Sequence, residues 1–205
     1  PPVSLGETLV LWSGEHGGQQ GTLFVLDSMT GEPTWTARVQ GRPLAPPVLS
    51  SGHVIMAVRS ARGVSIQSWT GTGRPGWRRE LEDLEGPVAL MSMDDAVLVH
   101  TSYGSVASLD GATGSVRWMH SLTDSPGVEL PLSLEPVLRD GGLFVPFDTT
   151  YVLNPSDGSL LHRLEGDSPV PDLLRVDENY SIYTAEVSGH VCAYGVVGHL
   201  DVVRN

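Results

Sequence analysis

Lysine is missing from all 205 residues; the twelve basic side chains are all arginine, set against 24 acids for a formal net charge of −12. A surface this acidic repels phosphate backbones, which argues against a nucleic-acid partner. Cysteine occurs once, as Cys192, so no internal disulfide can form and the fold does not rest on oxidation. Periplasm and cytoplasm both remain open on that count. No apolar run approaches the roughly 20 residues of a membrane-spanning helix, and no segment sustains a helical period. The opening Pro1-Pro2-Val3-Ser4-Leu5 has neither an initiator methionine nor a signal peptide, as if cut from a longer chain or trimmed. Also missing are the Gly-x-Ser-x-Gly elbow, the phosphate-binding loop, the dinucleotide fingerprint, the EF-hand loop and zinc-ligand spacing. No cofactor is expected.

What is present suits many short strands. Hydrophobic residues make up 40% and charged residues only 18%, enough apolar surface for a core. The 24 glycines and 15 prolines are spread along the chain, as frequent tight turns require.

The dominant signal is internal repetition. Thr30-Gly31-Glu32-Pro33-Thr34-Trp35 recurs as Thr72-Gly73-Arg74-Pro75-Gly76-Trp77 and as Thr113-Gly114-Ser115-Val116-Arg117-Trp118. A fourth copy, Asp157-Gly158-Ser159-Leu160-Leu161-His162, has histidine in the tryptophan slot. The four glycines are spaced by 42, 41 and 44 residues, the length of one four-stranded propeller blade. Asp27, Asp110 and Asn154 sit four residues before the glycine, and Trp69 stands there in the second copy. Pro-Val pairs at Pro2, Pro47, Pro87 and Pro136 keep the same phase, with a degenerate fifth at Pro171.

Each repeat reads as four strands. In the second they are expected at Pro47–Leu49, His53–Arg59, Val64–Trp69 and Gly76–Leu81; in the third at Val88–Ser92, Ala96–Thr101, Ser105–Leu109 and Val116–Leu122. Alternation and β-branched residues mark these strands, and Ser51-Gly52, Asp94-Asp95 and Tyr103-Gly104 supply turns. The fold class is all-β, a propeller of about five four-stranded blades, either a closed five-bladed ring or part of a larger one. One domain over 1–205 is expected, with blades at about 1–40, 41–82, 83–123, 124–166 and 167–205.

The turn has a physical rationale. Glycine tolerates positive φ in a hairpin, and the preceding aspartate accepts hydrogen bonds from turn amides. The tryptophan places a large apolar ring where it packs toward the neighbouring blade. Trp35, Trp77, Trp118, Gly31, Gly73, Gly114, Gly158, Asp27 and Asp110 are therefore the expected blade-docking residues.

This Asp-x-x-Thr-Gly-x-x-x-Trp pattern resembles the tryptophan-docking repeat of PQQ-like β-propellers. That family includes quinoprotein alcohol dehydrogenases and the lipoprotein of the bacterial outer-membrane barrel-assembly machine. The resemblance spans nearly the whole chain and is best in the first three repeats. Quinoprotein dehydrogenases hold their quinone with a vicinal disulfide and calcium, and one cysteine is incompatible with that disulfide. The resemblance thus implies the fold without the quinone chemistry. WD40 propellers fit less well, because none of the five tryptophans precedes an aspartate.

With no catalytic constellation, the leading expectation is a non-enzymatic binding or scaffold module that presents loops to a protein partner. The longest inter-blade connection, Thr123–Glu135, mixes acids with apolar residues; Asp124, Val128, Glu129, Leu130, Leu132 and Glu135 are its candidate contacts. Taken together, this connection and those at Gln40–Pro46, Glu82–Gly86 and Glu165–Pro169 carry Glu82, Asp83, Glu85, Asp124, Glu129, Glu135, Glu165 and Asp167 against one basic residue, Arg42, a surface suited to a cation or a basic partner. A small-ligand or glycan sensor is the alternative. A propeller enzyme is the third reading; it needs carboxylates converging on the ring axis, where Glu135 and Asp172 are the nearest.

Overall fold

A computed structural model of the chain describes residues 3–14, 20–82, 84, 86–122, 135–139, 141–164, 171–176, 181–186, 191–197 and 201–204. Every regular element among them is a β-strand, paired into five antiparallel sheets that follow one another along the chain. The first sheet is β1 (Val3–Leu5), β2 (Thr8–Gly14), β3 (Gln20–Asp27) and β4 (Pro33–Gln40), each strand bonded to the next. The third repeats that order with β10 (Val88–Met93), β11 (Ala96–Thr101), β12 (Ser105–Asp110) and β13 (Val116–Ser121). The fourth has β14 (Val137–Arg139), β15 (Gly142–Pro146), β16 (Thr150–Leu153) and β17 (Leu160–Leu164). The fifth has β18 (Pro171–Val176), β19 (Ile182–Glu186), β20 (Val191–Val197) and β21 (Asp201–Arg204).

The second sheet departs from the pattern. Its expected strands are present as β6 (Val48–Ser50), β7 (His53–Ser60), β8 (Gly63–Thr70) and β9 (Pro75–Leu81), and a further strand, β5 (Arg42–Pro43), pairs with the far end of β7. The connection read as a plain loop over Gln40–Pro46 therefore holds a two-residue strand. Such a strand is too short to leave a period in the sequence.

Why β7 reads as an unbroken apolar run follows from where its two faces go. Val54, Met56 and Val58 pack with Val10, Leu23, Val25 and Val39 of the first sheet. Ile55 and Ala57, one residue out of phase, pack with Val88, Val97, Val99, Ala107 and Leu109 of the third. Side chains alternate across a strand, so the middle sheet is buried on both sides and each of its faces belongs to a different core.

The chain divides into two compact units, Pro1–Met119 and His120–Asn205, with the boundary inside β13. The first unit holds the two cores just described. The second has its own, built from Phe144, Val152, Leu164, Leu174 and Ile182 with Val137 alongside. No helix among the described residues is long and apolar enough to cross a membrane.

Candidate interaction surface

The repeated turn joins the third and fourth strands of each of the first four sheets. In the first sheet the Asp27 carboxylate accepts hydrogen bonds from the backbone N–H of Met29 and Thr30, at 2.9 and 2.8 Å, and from the Thr30 hydroxyl. Asp110 does the same for Ala112 and Thr113 in the third. In the fourth, the amide oxygen of Asn154 takes over for Ser156. Gly31, Gly73, Gly114 and Gly158 all lie at positive φ, between 69° and 78°, where a side chain is disfavoured.

The second copy corrects one sequence assignment. Thr70, not Trp69, opens its turn: the Thr70 N–H bonds to the Arg74 carbonyl as the Asp27 N–H bonds to that of Glu32. That turn is one residue shorter, so counting back four from Gly73 lands on the last strand position instead. Trp69 pairs across to Pro75 as Leu26 pairs to Pro33, and it is buried in the core shared with the first sheet. The Thr70 hydroxyl accepts from the Arg74 N–H, a neutral stand-in for the carboxylate.

The second and third turns also meet the sheet before them. A Cβ placed on Gly73 would stand 2.8 Å from Cγ and Cδ2 of Trp35, and one on Gly114 would overlap the ring of Trp77. Gly31, in the first sheet, has no heavy atom within 4 Å of that position. Trp35 of the first sheet and Trp77 of the second thus lie on the turn glycine of the sheet that follows. Trp77 adds a 2.9 Å hydrogen bond from its indole N–H to the Gly111 carbonyl, and Arg79 Nε donates to the Gly114 carbonyl at 2.9 Å. Trp35 and Trp77 are half-buried, while Trp118 is buried. His162, in the fourth tryptophan slot, is half-buried on β17 opposite Val152.

Charge gathers at the third turn. Arg117 forms a bidentate pair with Asp95, at 2.9 and 2.8 Å, and reaches the second oxygen of Asp110 at 2.7 Å. The arginine holds the Asp110 carboxyl down at about 2, helped by the Thr113 hydroxyl and amide, and pulls Asp95 down as well. Asp27 is lowered by the Thr30 and Met29 amides, and Asp157 by the Ser159 hydroxyl and amide. These acids are held ionised as parts of turns.

Of the expected partner loop, Glu135 is exposed just ahead of β14. Asp124, Val128, Glu129, Leu130 and Leu132 lie outside the described residues, as do Asp83, Glu85, Glu165 and Asp167 of the acidic connections. Asp172 falls within β18 at a shift in register. Among the described residues no three histidine, cysteine or acidic side chains gather as a metal site would require.

One cluster was not legible in the sequence. Beside the β4–β5 connection an open cleft of about 400 Å³ is lined by Arg42, Arg59 and Arg78, with Gln20 and Gln40. Arg42 alone stood out in the sequence. Only the pairing of β5 with β7 brings Arg59 opposite it, and no local motif encodes that register.

Residues 2–145 match the family model described as outer membrane protein assembly factor BamB. No curated protein matches the chain. Among solved structures, BamB from Moraxella catarrhalis is similar over 95% of this chain and 58% of its own, with a TM-score of 0.64 and 22% identity. The computationally designed proteins Ika8 and Ika4 are similar too. Ika8 gives a TM-score of 0.71 over 95% of this chain and 57% of its own; Ika4 gives 0.59 over 78% and 94%; both are 18% identical. The chain thus spans less than two thirds of the BamB and Ika8 structures it matches. At these identities the structural likeness establishes the fold, and the family match over 2–145 establishes the lineage. The chain belongs to the PQQ-like β-propeller family described by the assembly factor BamB.

Proposed function

We propose that this chain is a non-enzymatic scaffold that binds a protein partner during outer-membrane protein assembly, on the periplasmic side. The observation that carries the reading is that the acids of the repeats are hydrogen-bonded into turns or to Arg117. Asp27, Asp95, Asp110 and Asp157 each have a lowered pKa, caused by hydrogen bonds from their own turn or from Arg117. A general acid needs the opposite, a carboxyl raised toward neutrality by burial or a like charge. The polar chemistry of the repeats is spent on holding turns and joining sheets, which leaves the loops as the variable surface.

The family description, an assembly factor for outer membrane proteins, supports the same reading. Thr123–Glu135 is the proposed contact, with Val128, Leu130 and Leu132 as apolar anchors and Asp124, Glu129 and Glu135 as the polar rim. Photo-crosslinking from positions 128 and 130 in the native host tests it. One discrete protein adduct is expected at these positions and none from position 74, in the second repeat's turn. Equal, diffuse labelling from all three positions removes the loop from the account.

A further inference from the structure

The arginine cleft conflicts with the rest of this acidic molecule. Arg42 on β5 and Arg59 on β7 are direct cross-strand partners, and like charges in that relation destabilise a sheet. The chain goes to some length to hold them there. Gly41 lies at φ 114°, and a Cβ on it would collide with the Arg59 carbonyl and come within 2.9 Å of Val58 Cγ2. Only glycine lets β5 approach β7 so closely.

Neither Arg42 nor Arg59 forms an ion pair among the described residues, although acids outnumber arginines two to one in the sequence. Among the described residues, the one side-chain polar contact of Arg59 is a long one, 3.4 Å, to the Gly86 carbonyl. Arg78, on the same cleft, is partly neutralised by Glu80 at 2.6 Å and reaches the Gln40 side-chain oxygen at 3.3 Å. The result is an open cleft with two guanidinium groups that have no ion-pair partner among the described residues, and glutamines at its rim.

We infer that this cleft binds an acidic peptide segment of a protein partner, its carboxylates paired with Arg42 and Arg59. This rests on the protein-binding reading above and names the chemistry of one contact. Guanidinium takes carboxylate through two parallel hydrogen bonds. A cleft of about 400 Å³ has the size of a small-ligand site and accepts several side chains. Elsewhere the net charge of −12 repels an acidic segment, so the cleft fixes where such a segment docks.

The test uses the whole chain and two labelled hexapeptides, one of glutamate and one of glutamine, followed by fluorescence anisotropy at low salt. The glutamate peptide is expected to bind and the glutamine peptide not. The double variant Arg42→Gln, Arg59→Gln should bind at least about tenfold more weakly; Arg42→Gln alone should also weaken binding, while Arg74→Gln, the same change of net charge as that single variant at a distant turn, stays within about twofold. The melting temperature of Arg42→Gln should hold or rise, because a like-charge pair is removed. Should Arg59→Gln unfold the protein, Arg42→Gln alone carries the test, since its side chain is exposed. Equal binding of both peptides, or an unaffected double variant, overturns the inference. So does a cleft that takes inorganic phosphate by calorimetry but not the peptide, since its ligand is then a free oxyanion. If the double variant still crosslinks to the partner in cells with full yield, this site is refuted while the scaffold reading stands.

Discussion

Glycine at a turn can matter for its backbone or for what lies on it, and this chain separates the two. Gly31 and Gly114 have nearly the same φ, 71° and 69°, but only Gly114 carries a tryptophan ring. Gly31→Ala should therefore cost only the left-handed penalty, about 1–2 kcal/mol. Gly114→Ala must also displace Trp77, and denaturant melts should place it at least about 1 kcal/mol beyond Gly31→Ala. Equal losses would mean that the rings do not bind the sheets together. Among the tryptophans the same logic ranks Trp118, buried, above Trp35, half-buried. Trp118→Ala should lose about 3–5 kcal/mol, and Trp35→Ala roughly 1.5–3 kcal/mol.

His100 gives a residue-scale prediction in pH. It is 1% exposed on β11, and burial pushes its pKa down to about 4. Between that value and the unfolded value near 6.5, the unfolded chain binds the extra proton and the folded chain does not. Stability is then fully present above about pH 6.5 and falls as pH drops toward 4. Over that window the loss is on the order of 3 kcal/mol. Thermal melts from pH 7.5 to 4 should show the fall, and His100→Gln should flatten it. An imidazole resonance of His100 that titrates near 6.5 in the folded protein contradicts this.

At the scale of the element, the sheets were legible where a single rule governs them. The second and third sheets fall within a residue or so of the strands expected from alternation and turn residues. The repeat is dense there, and the two middle strands of each of these sheets are buried on both faces. What escaped had no local signature. β5 is two residues long, and the shortened second turn keeps Thr-Gly in view while moving the strand end by one, so that Trp69 looked like a replacement for aspartate. The hydrogen bonds, not the spacing, identify Thr70 as its equivalent. That equivalence is testable. Thr70→Asp should be neutral or stabilising in melts, because a carboxylate there accepts turn amides as Asp27 and Asp110 do. Thr70→Val, with no acceptor, should lose about 1 kcal/mol.

For the whole molecule, repetition made the lineage readable because every blade must solve the same problem, burying two sheet faces against neighbours. Function is less readable for the same reason. The residues that repeat are the ones that hold sheets together, and the ones that recognise something are by nature unrepeated. The arginine cleft illustrates this. Its three members come from β5, β7 and β9, and the sequence places them 17 and 19 residues apart with no shared motif.

The most direct test of the central claim is affinity capture with this chain as bait from an envelope extract of its native host at moderate salt, read by mass spectrometry. The scaffold account predicts a stoichiometric protein of the outer-membrane assembly pathway, reduced when Val128, Leu130 and Leu132 are replaced by serine. A well-folded bait that returns no protein, yet saturates with a small molecule or glycan, would contradict it.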